Sequence, residues 1–153
     1  VVRGPNVMLG YMFATEPGAI QPPEEGWYDT GDIVDISDAG MVTIKGRAKR
    51  FAKIGGEMVS LAAVETMVAK VWPDQNHVVV ALPDARKGEQ LVLVTETPDA
   101  DRAALQEAAK QQGFPELWVP RAILVTQAIP VLGNGKIDYG STRELAASRR
   151  SLL

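Results

Sequence analysis

The residues best suited to phosphate and hydroxyl chemistry are cations and a carboxylate that lie beside glycines. Between Gly46 and Lys53 the chain carries four cations in eight positions, and a Gly55-Gly56 pair follows. These cations are Arg47, Lys49, Arg50 and Lys53. A guanidinium such as that of Arg47 can bind a phosphate or a hydroxyl pair through two parallel hydrogen bonds. Runs of charge are usually solvated faces. Taken alone, this run favours a basic strand, a hairpin turn and an amphipathic helix.

Two other motifs also place a charged side chain at a glycine turn. In YDTGD, Gly31 permits a sharp turn, after which the Asp32 carboxylate could accept hydrogen bonds from both hydroxyls of a ribose. Aspartate is equally an ordinary turn residue before a strand. In GNGK, Lys136 at a turn tip can reach a phosphate as a movable point charge, or it is a solvated turn lysine. A P-loop is excluded because Ile137, rather than Ser or Thr, follows Lys136.

Composition excludes several other kinds of site. The chain has 153 residues, a net charge of −3, no cysteine and one histidine. A thiol nucleophile, a disulfide and a thiolate metal site are therefore excluded, and no metal site is predicted. His77 is expected at a strand end. The acidic balance argues against a nucleic-acid partner. No apolar run approaches the ~18 residues that span a bilayer, so we expect a soluble fragment. The start at Val1 suggests a piece of a longer protein.

Turn and periodicity signals predict a small α+β fold that positions these residues. Residues 16–26 are rich in proline and glycine and predict a loop. Residues 33–36 and 41–44 predict a hairpin, and residues 51–54 and 58–60 predict a second hairpin around Gly55-Gly56.

The rest of the chain predicts strands interleaved with helices. Ser60 is expected to cap a helix, and the apolar runs 78–82 and 91–94 predict buried strands. Asp99 or Asp101 is expected to cap a helix that stops at Gly113. A third strand over residues 122–125 and a last helix, capped by Asp138 and reaching Arg150, complete the prediction. We expect one sheet with its helices on one side.

Three blocks, in this order, resemble the carboxyl-terminal part of adenylate-forming enzymes, the acyl- and aminoacyl-adenylating ligase superfamily that includes firefly luciferase. The blocks are GWYDTGD at residues 26–32, GRAKRFAKIGGEMVSLAAVE at residues 46–65 and PVLGNGKID at residues 130–138. The resemblance implies that residues 1–45 are the β-rich tail of the large adenylating domain and that residues 46–153 are the mobile carboxyl-terminal lid domain. ATP and Mg²⁺ would be bound mainly by a large domain that precedes Val1. The fragment alone would then be inactive.

The resemblance also implies a role for each candidate in the first two blocks. Asp32 would hold the ATP ribose, and Arg47 would contact the nucleotide. Lys49 would be the hinge between the domains, although a plain surface lysine fits the local sequence equally well. A hinge residue absorbs the backbone rotation of a domain movement.

The remaining candidates would serve the two half-reactions. Lys136 would stabilise charge as the acyl carboxylate attacks the α-phosphate. Lys53 would serve the second half-reaction, and Gly55-Gly56 would leave room for a pantetheine thiol arm, because no Cβ blocks its approach. A simple type I′ hairpin explains the glycines equally well. Leu132, where many members have threonine, and Trp118 depart from the superfamily pattern.

Several phrases resemble a narrower group, the bacterial bifunctional enzymes that join a lysophospholipid acyltransferase to an acyl-[acyl-carrier-protein] synthetase. The phrases include GPNVMLGY, KGEQLVLVT and PELWVPR. This resemblance implies a ligase that loads a long-chain fatty acid onto acyl carrier protein with ATP. The acyl group would then pass to 2-acylglycerophosphoethanolamine at the cytoplasmic face of the bacterial inner membrane, through an acyltransferase domain that precedes Val1.

An alternative from another functional class is a non-catalytic module that docks acidic acyl carrier protein. Its docking surface would be formed by the cations of the basic run and by two arginines near the carboxyl end of the given chain. They are Arg47, Lys49, Arg50, Lys53, Arg149 and Arg150.

Overall fold

The computed structural model describes residues 1–149 and divides the chain into two compact units, Val1–Lys49 and Arg50–Leu153. The break between these units falls after Lys49, whereas the predicted domain boundary falls before Gly46. The assignment of the two segments to a large and a mobile domain remains a prediction. Within residues 1–149, no helix is long and apolar enough to cross a membrane.

The first unit contains two short antiparallel hairpins. Their strands are β1 (Tyr11–Met12), β2 (Ile20–Gln21), β3 (Asp32–Ile36) and β4 (Val42–Arg47). β1 pairs with β2, and β3 pairs with β4 around a turn that Gly40 closes with a φ of 76°. β2 lies inside the segment predicted as a loop. A two-residue strand is too short to show the alternation of apolar and polar residues that predicts a strand. No side chain of residues 1–49 is buried.

The second unit is the predicted small α+β fold, which is confirmed. Its described residues, 50–149, form five strands and three α-helices. They are β5 (Phe51–Ile54), β6 (Glu57–Ser60), α1 (Leu61–Val71), β7 (His77–Asp84), β8 (Gly88–Thr95), α2 (Arg102–Gln111), β9 (Ala122–Val125) and α3 (Tyr139–Ser148). β8 is the central strand: it pairs with β7 along its length on one side, and with β5 and β9 on the other. The β8–β9 pairing is parallel.

The helices begin where local capping chemistry places them. The Ser60 hydroxyl accepts from the Ala63 N–H at 3.3 Å, and the Asp138 carboxylate accepts from the Ser141 N–H at 3.0 Å. Asp101, rather than Asp99, caps α2. Each cap satisfies a backbone donor that the first helical turn leaves without a partner. α3 ends at Ser148, and Arg150 lies outside the described residues.

The expectation that all helices lie on one side of the sheet is wrong. Val79, Leu91 and Leu93 pack in one apolar cluster with residues of α1 and α2. Val78, Val80 and Val92 pack in a second cluster with Ala146 of α3. Adjacent strand residues point to opposite faces, so both faces of β7 and β8 are apolar. A sheet with two apolar faces must pack against other elements on both faces, and α3 packs against the second face.

Candidate functional site

Asp32 and Arg47 are brought together in the first unit by the register of β3 and β4. They are direct partners across the two strands, and the Arg47 Nη1 atom lies 3.1 Å from the Asp32 Oδ1 atom. The same Arg47 nitrogen donates a hydrogen bond of 2.7 Å to the Thr30 carbonyl. The Asp32 side chain is 16% exposed and that of Arg47 is 66% exposed. The pair therefore presents a partly buried carboxylate next to an accessible guanidinium.

The turn before Asp32 is held by its own side chains. The Asp29 carboxylate accepts from the Gly31 N–H at 2.8 Å, and the Thr30 hydroxyl accepts from the Asp32 N–H at 3.3 Å. Gly31 has a φ of 66°, a conformation that glycine adopts at little cost. The Gly31 carbonyl accepts from the Ala48 N–H at 2.7 Å. Asp29 and Thr30 were not among the predicted site residues, although an Asp-Thr-Gly run is a recognisable side-chain-to-backbone turn.

Gly55 and Gly56 form the two central positions of the β5–β6 hairpin. Their φ angles are 58° and 93°. A type I′ turn requires a positive φ at both central residues, so these angles agree with the predicted turn. A Cβ atom added at either glycine would meet no atom within 4 Å. The loop tip is therefore open on the outside, and the left-handed backbone is the local reason for the two glycines.

Contacts to the β7–β8 turn hold the base of this hairpin. The Gly55 N–H donates to the Lys87 carbonyl at 2.9 Å, and the Lys53 N–H donates to the Glu89 carboxylate at 2.6 Å. The Lys53 side chain itself is exposed and, within residues 1–149, forms no ion pair. Lys53 therefore stands beside an open glycine tip on a fixed backbone.

Lys136 lies in a tight turn closed by an antiparallel bridge between Val131 and Ile137. The Leu132 N–H donates to the Lys136 carbonyl at 2.7 Å, and the Lys136 N–H donates to the Asn134 side chain at 3.1 Å. The Lys136 side chain is exposed, and no carboxylate of the described chain is in ion-pair range of it. The turn thus combines a hydrogen-bonded backbone with an ammonium that is available to a ligand.

The predicted site residues fall into both units. Asp32 and Arg47 form one pair in the first unit. Lys53, Gly55-Gly56 and Lys136 belong to the second unit. Lys49 lies in a 3-10 turn over Ala48–Arg50, is exposed, and is the last residue of the first unit. The structure thus defines local sites in both units. They are the Asp32–Arg47 pair in the first unit, and the Gly55-Gly56 hairpin and the Lys136 turn in the second.

Neither a group of potential metal ligands nor the cavity described below coincides with these residues. Within residues 1–149, no group of three or more His, Asp or Glu side chains lies together in a way that could hold a metal ion. A cavity of about 600 Å³ in the second unit is lined by Asp84, Arg102 and Arg121 among others, and no predicted site residue lines it.

Sequence patterns missed one partly buried ionic contact in the second unit. Arg50 forms an ion pair with Glu65 on α1, and these side chains are only 14% and 20% exposed. The alternative docking surface includes Arg50, but its guanidinium is engaged by Glu65 and the Val79 carbonyl. No local pattern links residues fifteen positions apart, so only the packing of α1 on the sheet could reveal the pair.

Comparison with known proteins identifies relatives along nearly the whole chain. No protein-family model matches it. Pseudomonine synthase PmsE of Pseudomonas entomophila is 32% identical over 95% of this chain, and 2,3-dihydroxybenzoate-AMP ligase of Bacillus subtilis is 30% identical over 97%. Medium-chain fatty-acid–CoA ligase of Escherichia coli is 32% identical over 89%. The chain spans only 24%, 28% and 25% of these proteins, about a quarter of each.

Solved structures agree with this result. A fatty acyl CoA synthetase of Mycobacterium tuberculosis is 28% identical and matches 82% of this chain and 25% of its own, with a TM-score of 0.62. ATP-bound MatB from Rhodopseudomonas palustris matches 81% of this chain and 25% of its own, with a TM-score of 0.66. At 23% identity, the second match concerns the fold alone. The homologues that cover this chain are thus adenylate-forming and acyl-CoA ligases.

Proposed function

We propose that this chain is the carboxyl-terminal part of an AMP-forming acyl ligase and that it supplies Lys136 to the adenylation step. The ligase relatives along nearly the whole chain support the first half of the proposal. The observation that carries the second half is the Lys136 turn, which fixes the backbone by hydrogen bonds and leaves the ammonium exposed. A free lysine on a rigid turn is suited to a ligand whose charge changes during reaction.

The chemistry of adenylation explains why such a lysine is needed. The carboxylate of the acid attacks the α-phosphate of ATP, the acyl–phosphate bond forms, and pyrophosphate leaves with the electron pair of the broken bond. Negative charge is redistributed over the phosphate oxygens in the transition state. A cation placed there beforehand lowers the barrier without reorganising at the moment of reaction. Lys136 would act in this way, as a point charge on a flexible stem.

The Asp32–Arg47 pair is suited to hold the nucleotide. The Oδ1 atom of Asp32 faces Arg47 at 3.1 Å, and the carboxylate would accept hydrogen bonds from the ribose hydroxyls. Arg47 uses one of its terminal nitrogens for Thr30 and Asp32, and its other donors are available to a phosphate or hydroxyl oxygen. The pair would therefore orient ATP rather than take part in bond making.

The Gly55-Gly56 hairpin and Lys53 would serve the second half-reaction. A thiol arm must reach the acyl-adenylate through a narrow space, and a loop tip without Cβ atoms obstructs that space least. Lys49 would be the residue about which the second unit turns between the two half-reactions. This part of the proposal is supported by the open hairpin tip and by the position of Lys49 at the break between the units.

The exposed apolar surface of the first unit supports its assignment to a larger adenylating domain. Large apolar side chains such as Leu9, Ile36, Met41 and Ile44 are 80%, 64%, 70% and 66% exposed. Across β3 and β4, Val34 pairs with Ile44 and Ile36 with Val42, and all four side chains are exposed. An apolar patch of this kind normally packs against another part of a protein. We propose that residues 1–45 complete a large domain, which would also bind ATP and Mg²⁺.

At the level of substrates, we propose the bifunctional 2-acylglycerophosphoethanolamine acyltransferase/acyl-[acyl-carrier-protein] synthetase. In this proposal a long-chain fatty acid is transferred to acyl carrier protein and then to the lysophospholipid at the bacterial inner membrane. Its support is the set of sequence phrases that runs along most of the chain. The relatives reported above act, by their names, on other acids, including 2,3-dihydroxybenzoate and medium-chain fatty acids.

The decisive experiment is a test of Lys136 in the full-length enzyme. Acyl-adenylate formation is measured by pyrophosphate release with ATP, magnesium and palmitate, and thioester formation is measured separately from a supplied acyl-adenylate. Lys136→Ala should slow the first step by ~10²–10³ and spare the second. Equal losses in both steps would show that Lys136 has only a structural role.

The same assay separates the ligase from the carrier-protein docking module. A docking module contributes no lysine to adenylation, so Lys136→Ala would leave pyrophosphate release unchanged. The 153-residue chain by itself should release no pyrophosphate under either interpretation, and release should appear only when the large domain is added.

A further inference from the structure

We infer that Arg50 is a positioning residue that holds the Lys136 turn in place through the ring of Tyr139. The inference rests on the proposed function of Lys136 and adds to it the element that orients this lysine. Arg50 is the first residue of the second unit, and Lys136 lies 86 positions further along the same unit. Three contacts of the Arg50 guanidinium connect these two places.

Arg50 differs from the other cations of the basic run in its burial. Its side chain is 14% exposed, whereas that of Arg47 is 66% exposed. Lys49 and Lys53 are exposed and form no ion pair within residues 1–149. A guanidinium loses hydration when it is buried to this extent, so its position must be supported by specific partners.

Two of the contacts anchor Arg50 to the core of the unit. Its Nη2 atom donates to the Glu65 carboxylate, and its Nη1 atom donates to the Val79 carbonyl at 3.1 Å. The same Glu65 oxygen accepts from the Val79 N–H at 2.8 Å. The three groups form a closed set of hydrogen bonds that joins the start of the unit to α1 and β7. Because charged partners make these bonds strong, the guanidinium plane has one orientation.

The third contact reaches the lysine turn. The guanidinium carbon of Arg50 lies 4.0 Å from the centre of the Tyr139 ring, which is the distance of a cation–π contact. Tyr139 is the first residue of α3, directly after the Asp138 cap. The Asp138 N–H donates to the Pro130 carbonyl at 2.9 Å. Pro130 precedes the turn that carries Lys136, and Asp138 follows it. A shift of Tyr139 therefore moves the helix start on which the turn is built.

The test uses Tyr139→Leu as the main variant, because this change removes the ring face and leaves no buried charge without a partner. In the full-length enzyme, Tyr139→Leu should lower the rate of acyl-adenylate formation ~10–100-fold, the effect of a displaced catalytic group. Tyr139→Phe, which keeps the ring face, should recover most of that loss. Arg143→Met changes an exposed arginine of the same helix and serves as the matched control, with an unchanged rate.

A double-mutant cycle that combines Tyr139→Leu with Lys136→Ala tests whether the two residues act together on the rate of acyl-adenylate formation. If Tyr139 and Arg50 act by placing Lys136, then Tyr139→Leu should cause no further loss in a protein that already lacks the lysine. Arg50→Met combined with Tyr139→Leu should likewise cost no more than the larger single loss. Should Arg50→Met not fold, Arg50→Lys replaces it, since lysine keeps the charge but lacks the planar face and the second donor nitrogen.

Three results would overturn the inference, and they differ in what else they affect. An equal loss from Tyr139→Leu with and without Lys136 would show a general structural role. An unchanged rate in Tyr139→Leu, beside a hundredfold loss in Lys136→Ala, would refute the positioning role and leave the proposed function intact. An unchanged rate in Lys136→Ala would refute the proposed function itself, and the inference with it.

Discussion

Replacing Gly55 by asparagine separates the two explanations of the Gly55-Gly56 hairpin. Gly55 has a φ of 58°, the centre of the left-handed region, and a Cβ added there would meet no atom within 4 Å. Asparagine is, after glycine, among the residues that tolerate this conformation best, and Asn-Gly is a preferred pair for a type I′ turn. The hairpin should therefore form with either residue at position 55.

The expected stability change follows from two opposing terms. An L-residue in the left-handed region costs about 1–2 kcal/mol, and less for asparagine. Replacing glycine recovers about 0.4–1 kcal/mol, because the unfolded chain loses freedom. No steric term is added, since the space around the position is empty. The free energy of unfolding should change by no more than about 1 kcal/mol, whichever function the hairpin has.

The activity change, in contrast, depends on the function. If the loop tip enters the site for thiol transfer, the new side chain obstructs the pantetheine arm. A misplacement of about 1 Å can cost ~10²-fold in rate, which corresponds to about 2.7 kcal/mol. Transfer from a supplied acyl-adenylate should then fall by at least about tenfold while adenylation is retained.

The assay is single-turnover transfer to acyl carrier protein and to coenzyme A, with pyrophosphate release measured in parallel. Gly113→Asn is the matched control, since Gly113 also has a positive φ of 72° and open space around its Cβ position. Normal transfer by Gly55→Asn would refute the thiol-arm explanation, and the two glycines would be ordinary turn residues.

Three further predictions concern the hinge, the lysine turn and the core. Lys49→Pro fixes φ near −65° and should retain adenylation while it blocks transfer in single-turnover assays, whereas normal rates for both steps would remove Lys49 as the hinge. The pKa of Asp138 is lowered from its usual value of 3.8, first by the Ser141 N–H and then by the Ser141 hydroxyl. The ionised Asp138 carboxylate therefore stabilises the fold fully above pH 3.8. This stabilisation is lost as the pH falls through the lowered pKa of Asp138 in the folded protein. Asp138→Asn should lack this pH dependence in urea unfolding, and parallel curves for both proteins would contradict the assignment. Leu93→Ala, at a fully buried position, should lower the free energy of unfolding by about 2–5 kcal/mol, and a loss below about 1 kcal/mol would mean that the sheet core is not packed as described.

Local chemistry determined much of the second unit from sequence alone. The Gly55-Gly56 hairpin, the Ser60 and Asp138 caps and the strand that starts at His77 were each predicted at the places where the structure has them. These features depend on backbone angles and hydrogen bonds within a few residues, so the amino-acid types at those positions suffice. The choice between Asp99 and Asp101 as the cap of α2 stayed open, because both aspartates precede the same helix.

Tertiary structure alone decided which distant groups meet. The partly buried Arg50–Glu65 pair, its contact with Tyr139 and the parallel pairing of β8 with β9 join residues that share no local pattern. The placement of α3 on the second face of the sheet likewise depends on how two apolar faces are covered. Such contacts are selected by burial and shape across the whole unit. Sequence context thus predicts Arg50 as a surface cation, whereas in the folded unit its side chain is partly buried by contacts with α1, β7 and α3.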